Sequence, residues 1–376
     1  MRSVRRVLLA FALSVAVYGQ TLVDVVRFPR FDLLFKDPPA KNGIGCDATP
    51  LRPHLNFGFR FISGYVGHLP LKLYSGEGQR FIVLTRVTPD DADKKPAIFS
   101  QFFRMPKLPP KSGTQLEIDG AFFVGEGGYR VEWLIVDREG HRCAKNWHIE
   151  AKLASNDRGL VVAMPAGTVA PVAYEPWKGV PSGQQGTHLT VLLHVAPLSM
   201  RRLKMHPYDQ AMLLSSLLSL LERTPVAKVK LVAFNLDQQK EIFRQDDFDQ
   251  EGWGRLIDAI AGLDLVTVPV SVLQKQGGHR DIVRSLVQEQ LEAEEQPDAV
   301  IFLGPTSRQM DKLKLETAAT PHPRFYYLQY KAYWARGSEF ADIITHVVRS
   351  LSGKVFVIYT PHDLSVALQR MNRTGE

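Results

Sequence analysis

The stretch "HLTVLLHVAPLSM", residues 188–200, decides how the second half of this chain is read. Its first eight residues form a nearly continuous apolar, β-favouring run, the pattern of a strand buried on both faces. Ala196 and Pro197 end that run in a loop. In an open α/β sheet, the loop beyond a strand's carboxyl end is a usual place for a ligand. Here the loop carries His194, Pro197 and Ser199, where a hard-metal site would need a carboxylate.

Outward from this strand the pattern alternates. "HPYDQAMLLSSLLSLLER" (206–223), "EGWGRLIDAIAGL" (251–263), "GHRDIVRSLVQEQLEAEEQ" (278–296), "EFADIITHVVRSLSG" (339–353) and "HDLSVALQRM" (362–371) have helical periodicity. Between them lie short apolar runs, "KVKLVAFN" (228–235), "DAVIFLG" (298–304), "RFYYLQY" (324–330) and "KVFVIYT" (354–360). Apolar strands interleaved with amphipathic helices predict a largely parallel sheet covered on both faces. Right-handed crossovers favour a doubly wound α/β layout.

The first half reads differently. "HLNFGFRF" (54–61), "HLPLKLY" (68–74), "RFIVLTRVT" (80–88), "IFSQFFR" (98–104), "TQLEIDGAFF" (114–123), "GYRVEWLIVD" (128–137) and "HRCAKNWHIEAKL" (141–153) are rich in aromatic and β-branched residues. About seven such segments with turn signals between them predict an all-β immunoglobulin-like sandwich. "DREGH" is a hairpin turn signal joining the last two, and "GEGGY" (125–129) reads as another hairpin turn rather than a phosphate loop, because no helix follows it. Residues 154–187 are rich in Pro, Gly and small side chains and read as a linker. The expected organisation is a signal peptide at 1–19, an extended segment at 20–53 and the sandwich at 54–153. The linker at 154–187, the α/β domain at 188–371 and a tail at 372–376 follow.

At 376 residues, with 45% hydrophobic and 23% charged content, the composition is that of a globular protein with room for two cores. Arg2, Arg5 and Arg6 precede an apolar run from Val7 to Val17, with cleavage expected near Gly19. That order is that of a secretory signal peptide, and the run is short for a membrane anchor. The expected location is secreted or periplasmic, and the chain is not expected to be an integral membrane protein after cleavage. Loss of those arginines takes the formal net charge from +7 to +4. No basic stripe with interleaved aromatics accompanies it, so a nucleic-acid partner is not expected. In an oxidising compartment the two cysteines, Cys46 and Cys143, are expected to form one disulfide.

The strand and loop ending in Ser199-Met200, the following helix and "KVKLVAFNLDQQKEIFRQ" resemble the start of a von Willebrand factor type A domain. "AIAGLDLVTVPVSVLQKQGGHRDIVRSLVQEQL" and "DAVIFLGPTSR" resemble its later parts, so that the likeness covers about residues 186–371. With the export signal and the strand-rich first half, the chain is similar to "VWFA-related" secreted proteins of soil bacteria. The resemblance implies a metal-ion-dependent adhesion site built from an Asp-x-Ser-x-Ser loop, a Thr and a further Asp. Aligned on Ser199, that loop has Val195, or with one inserted residue His194, where the leading Asp belongs. Pro197 replaces a Ser, and Gly304-Pro305-Thr306 stands where the later Asp would lie. Ser199 is the one oxygen ligand retained, so no metal and no cofactor is expected.

What remains at the strand ends is a candidate ligand-binding rim of His194, Ser199, Arg201, Arg202, Thr306, Ser307 and Arg308, with Lys331 beside it. The alternative is an ordinary solvated rim with His194 hydrogen-bonded at the top of the core. "DFDQEGWGRLID" (247–258) places Asp247, Asp249, Glu251, Gly252 and Asp258 at calcium-loop spacing, but position twelve lacks the bidentate Glu. Its reading as a helix start is preferred. HExxH, GxSxG and P-loop motifs are missing. Asn372-Arg373-Thr374 matches a glycosylation acceptor in an expected frayed tail. The expected function is non-enzymatic binding or structural organisation through a protein partner. The alternative is a secreted hydrolase using the rim.

Overall fold

The computed structural model describes residues 20–36, 45–70, 80–104, 115–173, 176–181, 183–199, 205, 207–265, 277–313, 315, 322–332 and 341–373. The expected signal peptide lies outside them. The chain divides into two compact units. The first comprises Met1–His54, Phe61–Lys152 and Met164–Val172; the second comprises Leu55–Arg60, Leu153–Ala163 and Ala173–Glu376.

The first unit contains β1 (Thr21–Leu22), α1 (Arg30–Leu33), β2 (Asp47–Leu55), β3 (Phe61–Pro70), β4 (Arg80–Pro89) and β5 (Ala97–Arg104). It continues with β6 (Gln115–Val124), β7 (Gly127–Asp137), β8 (Arg142–Ala151) and β9 (Val169–Pro171). Two sheets form, ordered β2-β3-β6-β9 and β1-β5-β4-β7-β8. They share a core in which Tyr65 and Leu69 of β3 and Ile118 of β6 meet Phe81, Val83, Trp133 and Ile135 of β4 and β7. Alternating apolar residues along each strand produce that inner face. Cys46, ahead of β2, and Cys143, on β8, are joined by a disulfide with a Cα–Cα distance of 6.1 Å, stapling one sheet to the other.

Several boundaries differ from the sequence reading. The segment 20–53 supplies β1 and most of β2 rather than a bare extension. Residues 54–61 are not one strand: after Leu55 the chain turns, because Asn56 Oδ1 accepts the backbone N–H groups of Gly58 and Arg60. Local side-chain-to-backbone bonding of this kind overrides β propensity. The expected linker contributes β9, paired antiparallel with β6. Of "GEGGY" only Gly125 and Glu126 lie between strands, the rest opening β7, and since β6 and β7 lie in different sheets the connection crosses between sheets instead of closing a hairpin. Tyr129 braces that corner, its hydroxyl 2.9 Å from Gly125 O and 3.2 Å from Thr168 O.

The outer face of the five-stranded sheet is covered by its own N-terminal segment. Phe31, Leu34 and Phe35 pack against Leu84, Leu134 and Val136. Arg86 holds the segment down, since it makes a two-pronged pair with Glu132 (2.7 Å each), reaches Asp32 at 2.8 Å and lies 4.5 Å over the Phe35 ring. A planar guanidinium is suited to satisfying all three partners at once.

The second unit holds β10 (Thr187–His194), α2 (Pro207–Arg223), β11 (Val226–Asn235), β12 (Lys240–Gln245), α3 (Gln250–Ala261) and α4 (Gly278–Glu292). β13 (Ala299–Pro305), β14 (Arg324–Tyr330), α5 (Ile343–Ser350), β15 (Lys354–Ile358) and α6 (Pro361–Arg373) complete it. Its sheet is ordered β12-β11-β10-β13-β14-β15. The period-two alternation of β10 sends Leu189, Val191 and Leu193 into one apolar cluster, with residues of α2, α3 and α6. Leu192 enters the other, with residues of α4 and α5.

The expected class, a doubly wound and mostly parallel α/β sheet, is overturned. The chain is mostly β, with fifteen strands in three sheets and six helices among the described residues. The sandwich strands β1, β5, β4, β7 and β8, and β3, β6 and β9, pair antiparallel. The third sheet is mixed: a tight turn with Gln239 at φ 49° folds β12 back antiparallel on β11. Among the described residues no helix is long and apolar enough to cross a membrane.

Candidate functional site

The carboxyl ends of β10, β13 and β14 gather most of the polar residues of the candidate rim, and the structure sorts them onto opposite faces of the sheet. His194 shares its face with Leu192, stacked on Phe234 at 5.3 Å between ring centroids and only 2% exposed. Its Nδ1 lies 3.1 Å from Pro305 O, so that nitrogen carries the proton and donates. Gly304 permits this approach, because a Cβ there would lie 2.5 Å from His194 O.

Burial pushes the His194 pKa below the ordinary 6.5, outweighing the opposing effects of the Pro305 carbonyl and of Asp237 and Asp342. The imidazole is therefore neutral near pH 7. Below pH 6.5 the unfolded chain takes up a proton that the folded chain resists, so stability present above that pH is lost as pH falls. The expected slope from this residue is at most about 1.4 kcal/mol per pH unit. Urea unfolding of His194→Leu between pH 7.5 and 5 should lack that component; an unchanged slope would reject it.

Next to His194 is a group that the sequence reading missed. Asp342 is fully buried and precedes α5. Its Oδ1 accepts Thr345 N–H at 2.8 Å, and its Oδ2 accepts Ser307 N–H at 2.7 Å and lies 3.0 Å from the Tyr327 hydroxyl. The Tyr327 hydroxyl is also 3.0 Å from Pro305 O. Burial, with the Asp342 charge beside it, raises the Tyr327 pKa well above its ordinary value, so the phenol keeps its proton. Ser307 Oγ in turn accepts Gln309 N–H at 3.1 Å. This is a closed network, with its polar atoms turned on one another.

The other rim residues are placed apart from it. Arg308 is half-exposed, its Nε 3.5 Å from Asp237 Oδ2. Thr306 N–H donates to Tyr330 O at 3.1 Å. Ser199 and Lys331 border a recess of ≈ 280 Å³ with Tyr208, Asp209, Met212 and Tyr330. Met212 and Tyr330 belong to the apolar cluster on the face opposite the Phe234 cluster. Ser199 and His194 are thus separated by the sheet, and the nucleophile–base pairing of the hydrolase alternative is not formed. Arg201 and Arg202 lie outside the described residues.

The remaining motifs resolve into structure. Asp249 is the N-cap of α3, its Oδ1 2.8 Å from Gly252 N, which makes the calcium-like spacing a helix start. Among the described residues one trio could hold a metal ion by proximity, Asp137, Glu139 and His141 in the β7–β8 turn. There Asp137 already accepts His141 N–H at 2.8 Å and meets its Nδ1 at 2.8 Å. Asn372 is no frayed end: it lies in α6 and its amide donates to Arg223 O at 2.9 Å.

Comparisons with known proteins add no identity. No protein-family model matches the chain, and no curated protein matches it. Among solved structures, part of the chain is similar to the sporulation control protein Spo0M of Bacillus subtilis, at 13% identity, over 30% of this chain and 51% of that one, with a TM-score of 0.16. The chain thus spans about half the length of Spo0M. A lipoprotein from Bacteroides thetaiotaomicron is similar at 9% identity, over 33% of this chain and 92% of that one, with a TM-score of 0.16. A β-glucuronidase from Bacteroides uniformis is similar at 8% identity, over 82% of this chain and 38% of that one, with a TM-score of 0.21. Likeness this slight assigns neither a fold nor an activity.

Proposed function

We propose that this is an exported, non-enzymatic protein that works by metal-independent contact with a protein partner. The observation supporting this reading is the closed network at the strand ends. Asp342, the buried carboxylate beside Ser307 at the strand ends, spends both oxygens on Ser307, Thr345 and Tyr327. His194, the rim's acid–base candidate, is sealed beneath it. The recess on the other face offers aromatic and apolar side chains for a contact, with Tyr208 53% exposed beside Tyr330 and Met212.

A photo-crosslinking residue at Tyr208, used on intact envelopes with and without chelator, tests the reading. The expected result is one dominant crosslinked protein whose yield is unaffected by chelator and lost in Tyr208→Ala competition. Capture that requires Mg²⁺ or Mn²⁺ and fails in Ser199→Ala would overturn metal independence. Turnover of chromogenic esters or phosphates, lost in His194→Ala, would overturn the non-enzymatic reading.

A further inference from the structure

Eleven large apolar side chains are exposed among the described residues, and four of them, Leu22, Val26, Phe28 and Leu33, fall within one short segment. Single exposed apolar residues need no explanation, but a concentration of them does. Val26 is 94% exposed, Leu33 54% and Phe28 48%. They are held out by structure: Asp24 Oδ1 accepts Val26 N–H at 3.0 Å and Arg27 N–H at 3.2 Å, while Phe28 N–H donates to Asp24 O at 2.8 Å. The same segment is fastened from beneath by Phe31, Leu34 and Phe35 and by Arg86. It therefore has an inner apolar face that is used and an outer one that is not.

The charge of the segment leans positive, with Arg27, Arg30 and Lys36 against Asp24 and Asp32. Arg27, 5.5 Å over the Phe28 ring, and Arg30 are exposed, and neither is paired with a described carboxylate. Lys36 is exposed but paired, its Nζ 3.4 Å from Asp32 Oδ2. Asp24 Oδ1 is occupied by its turn, and Asp32 by Arg86 and Lys36. The result is "VRFPR" (26–30), protruding apolar tips between cations. This composition matches a boundary with acyl chains below and phosphates above. A protein partner would instead have to supply a pocket for each tip and an acid for each cation.

We infer that the outer face of residues 22–36 docks on an anionic lipid surface, with Val26, Phe28 and Leu33 entering the headgroup boundary and Arg27 and Arg30 meeting lipid phosphates. The test uses the full chain with its disulfide intact, an environment-sensitive fluorophore on Val26→Cys, and vesicles of phosphatidylglycerol with phosphatidylethanolamine or of phosphatidylcholine alone. The expected result is a blue shift and quenching by brominated acyl chains on the anionic vesicles, and neither on phosphatidylcholine. In cosedimentation, Val26→Ser/Phe28→Ser/Leu33→Ser should weaken partitioning by about tenfold or more. Arg27→Gln/Arg30→Gln should weaken it by about fivefold per cation at low salt. Because these side chains are exposed, circular dichroism melts of the variants should match the parent. An unshifted fluorophore, or equal partitioning of the triple variant, overturns the inference, since either means that these side chains do not enter the vesicle. A concentration-dependent dimer abolished by the triple variant, with no lipid response, would give this face to a second copy instead.

Discussion

Replacing Cys46 and Cys143 together by serine is expected to cost the sandwich about 4 kcal/mol. The bond closes a separation of 97 residues. Loop-closure entropy for a loop of that size corresponds to about 4–5 kcal/mol, near the upper end of what native disulfides contribute. Its placement adds to the effect, because it ties the start of one sheet to an outer strand of the other beside the Tyr65 and Trp133 cluster. A domain has roughly 5–15 kcal/mol in total, so the loss leaves little margin. The check is thermal unfolding followed by near-ultraviolet dichroism, to which Trp133 and Trp147 contribute. Tm should fall by roughly 10–15 °C. Reductant should reproduce the fall in the parent and do nothing to the double variant. A shift below about 3 °C would show that hydrophobic packing alone holds the sheets together.

How much of this was legible in the sequence depended on what carried the signal. The long apolar strands were readable because burial on both faces leaves no polar position: "HLTVLLHV" and "DAVIFLG" are β10 and β13 almost residue for residue. β3 was harder. Its interior "ISGYVGH" has glycines that argue against a strand, yet Gly64 is there because a side chain would collide with the Gly120 carbonyl on β6. Phe57 and Phe59 fit β alternation, yet they sit in a turn set by Asn56, which only turn chemistry could have shown. The three-residue β9 is too short for periodicity and ends in Pro171, tolerated at a sheet edge.

The site was less legible than the fold. Candidate residues were chosen for following strand ends, a criterion that finds location but not side-chain direction. It grouped His194 with Ser199, which the period-two alternation of β10 and the loop after it place on different faces. The missed residue had a signal: Asp342, three residues before Thr345 and just ahead of an apolar run, is an N-cap pattern. Reading 339–353 as one unbroken helix hid it.

That residue carries the second large prediction. Asp342→Ala is expected to destabilise the second unit by about 3–5 kcal/mol, because three donors lose their acceptor in a site water cannot reach. Thr345 N–H is an unpaired donor of the first turn of α5, so part of the loss is a lost cap. Ser307 N–H has no chain partner to replace the carboxylate at that position, whereas the Tyr327 hydroxyl can turn wholly to Pro305 O. The order of effects follows. Asp342→Asn keeps one oxygen for the cap but offers Ser307 a second donor, and should cost about 1–3 kcal/mol. Tyr327→Phe removes one donor and should cost about 1 kcal/mol. A double-mutant cycle of Asp342→Asn with Tyr327→Phe should show coupling above about 0.5 kcal/mol, as expected for groups in contact. The decisive measurement is urea unfolding of this series with and without Mg²⁺. If the carboxylate is structural, Mg²⁺ leaves the parent curve where it was and rescues none of the variants. If Asp342→Ala costs less than about 1 kcal/mol while Mg²⁺ stabilises the parent, the carboxylate is a ligand held in reserve, and the metal-independent reading of this sheet edge fails with it.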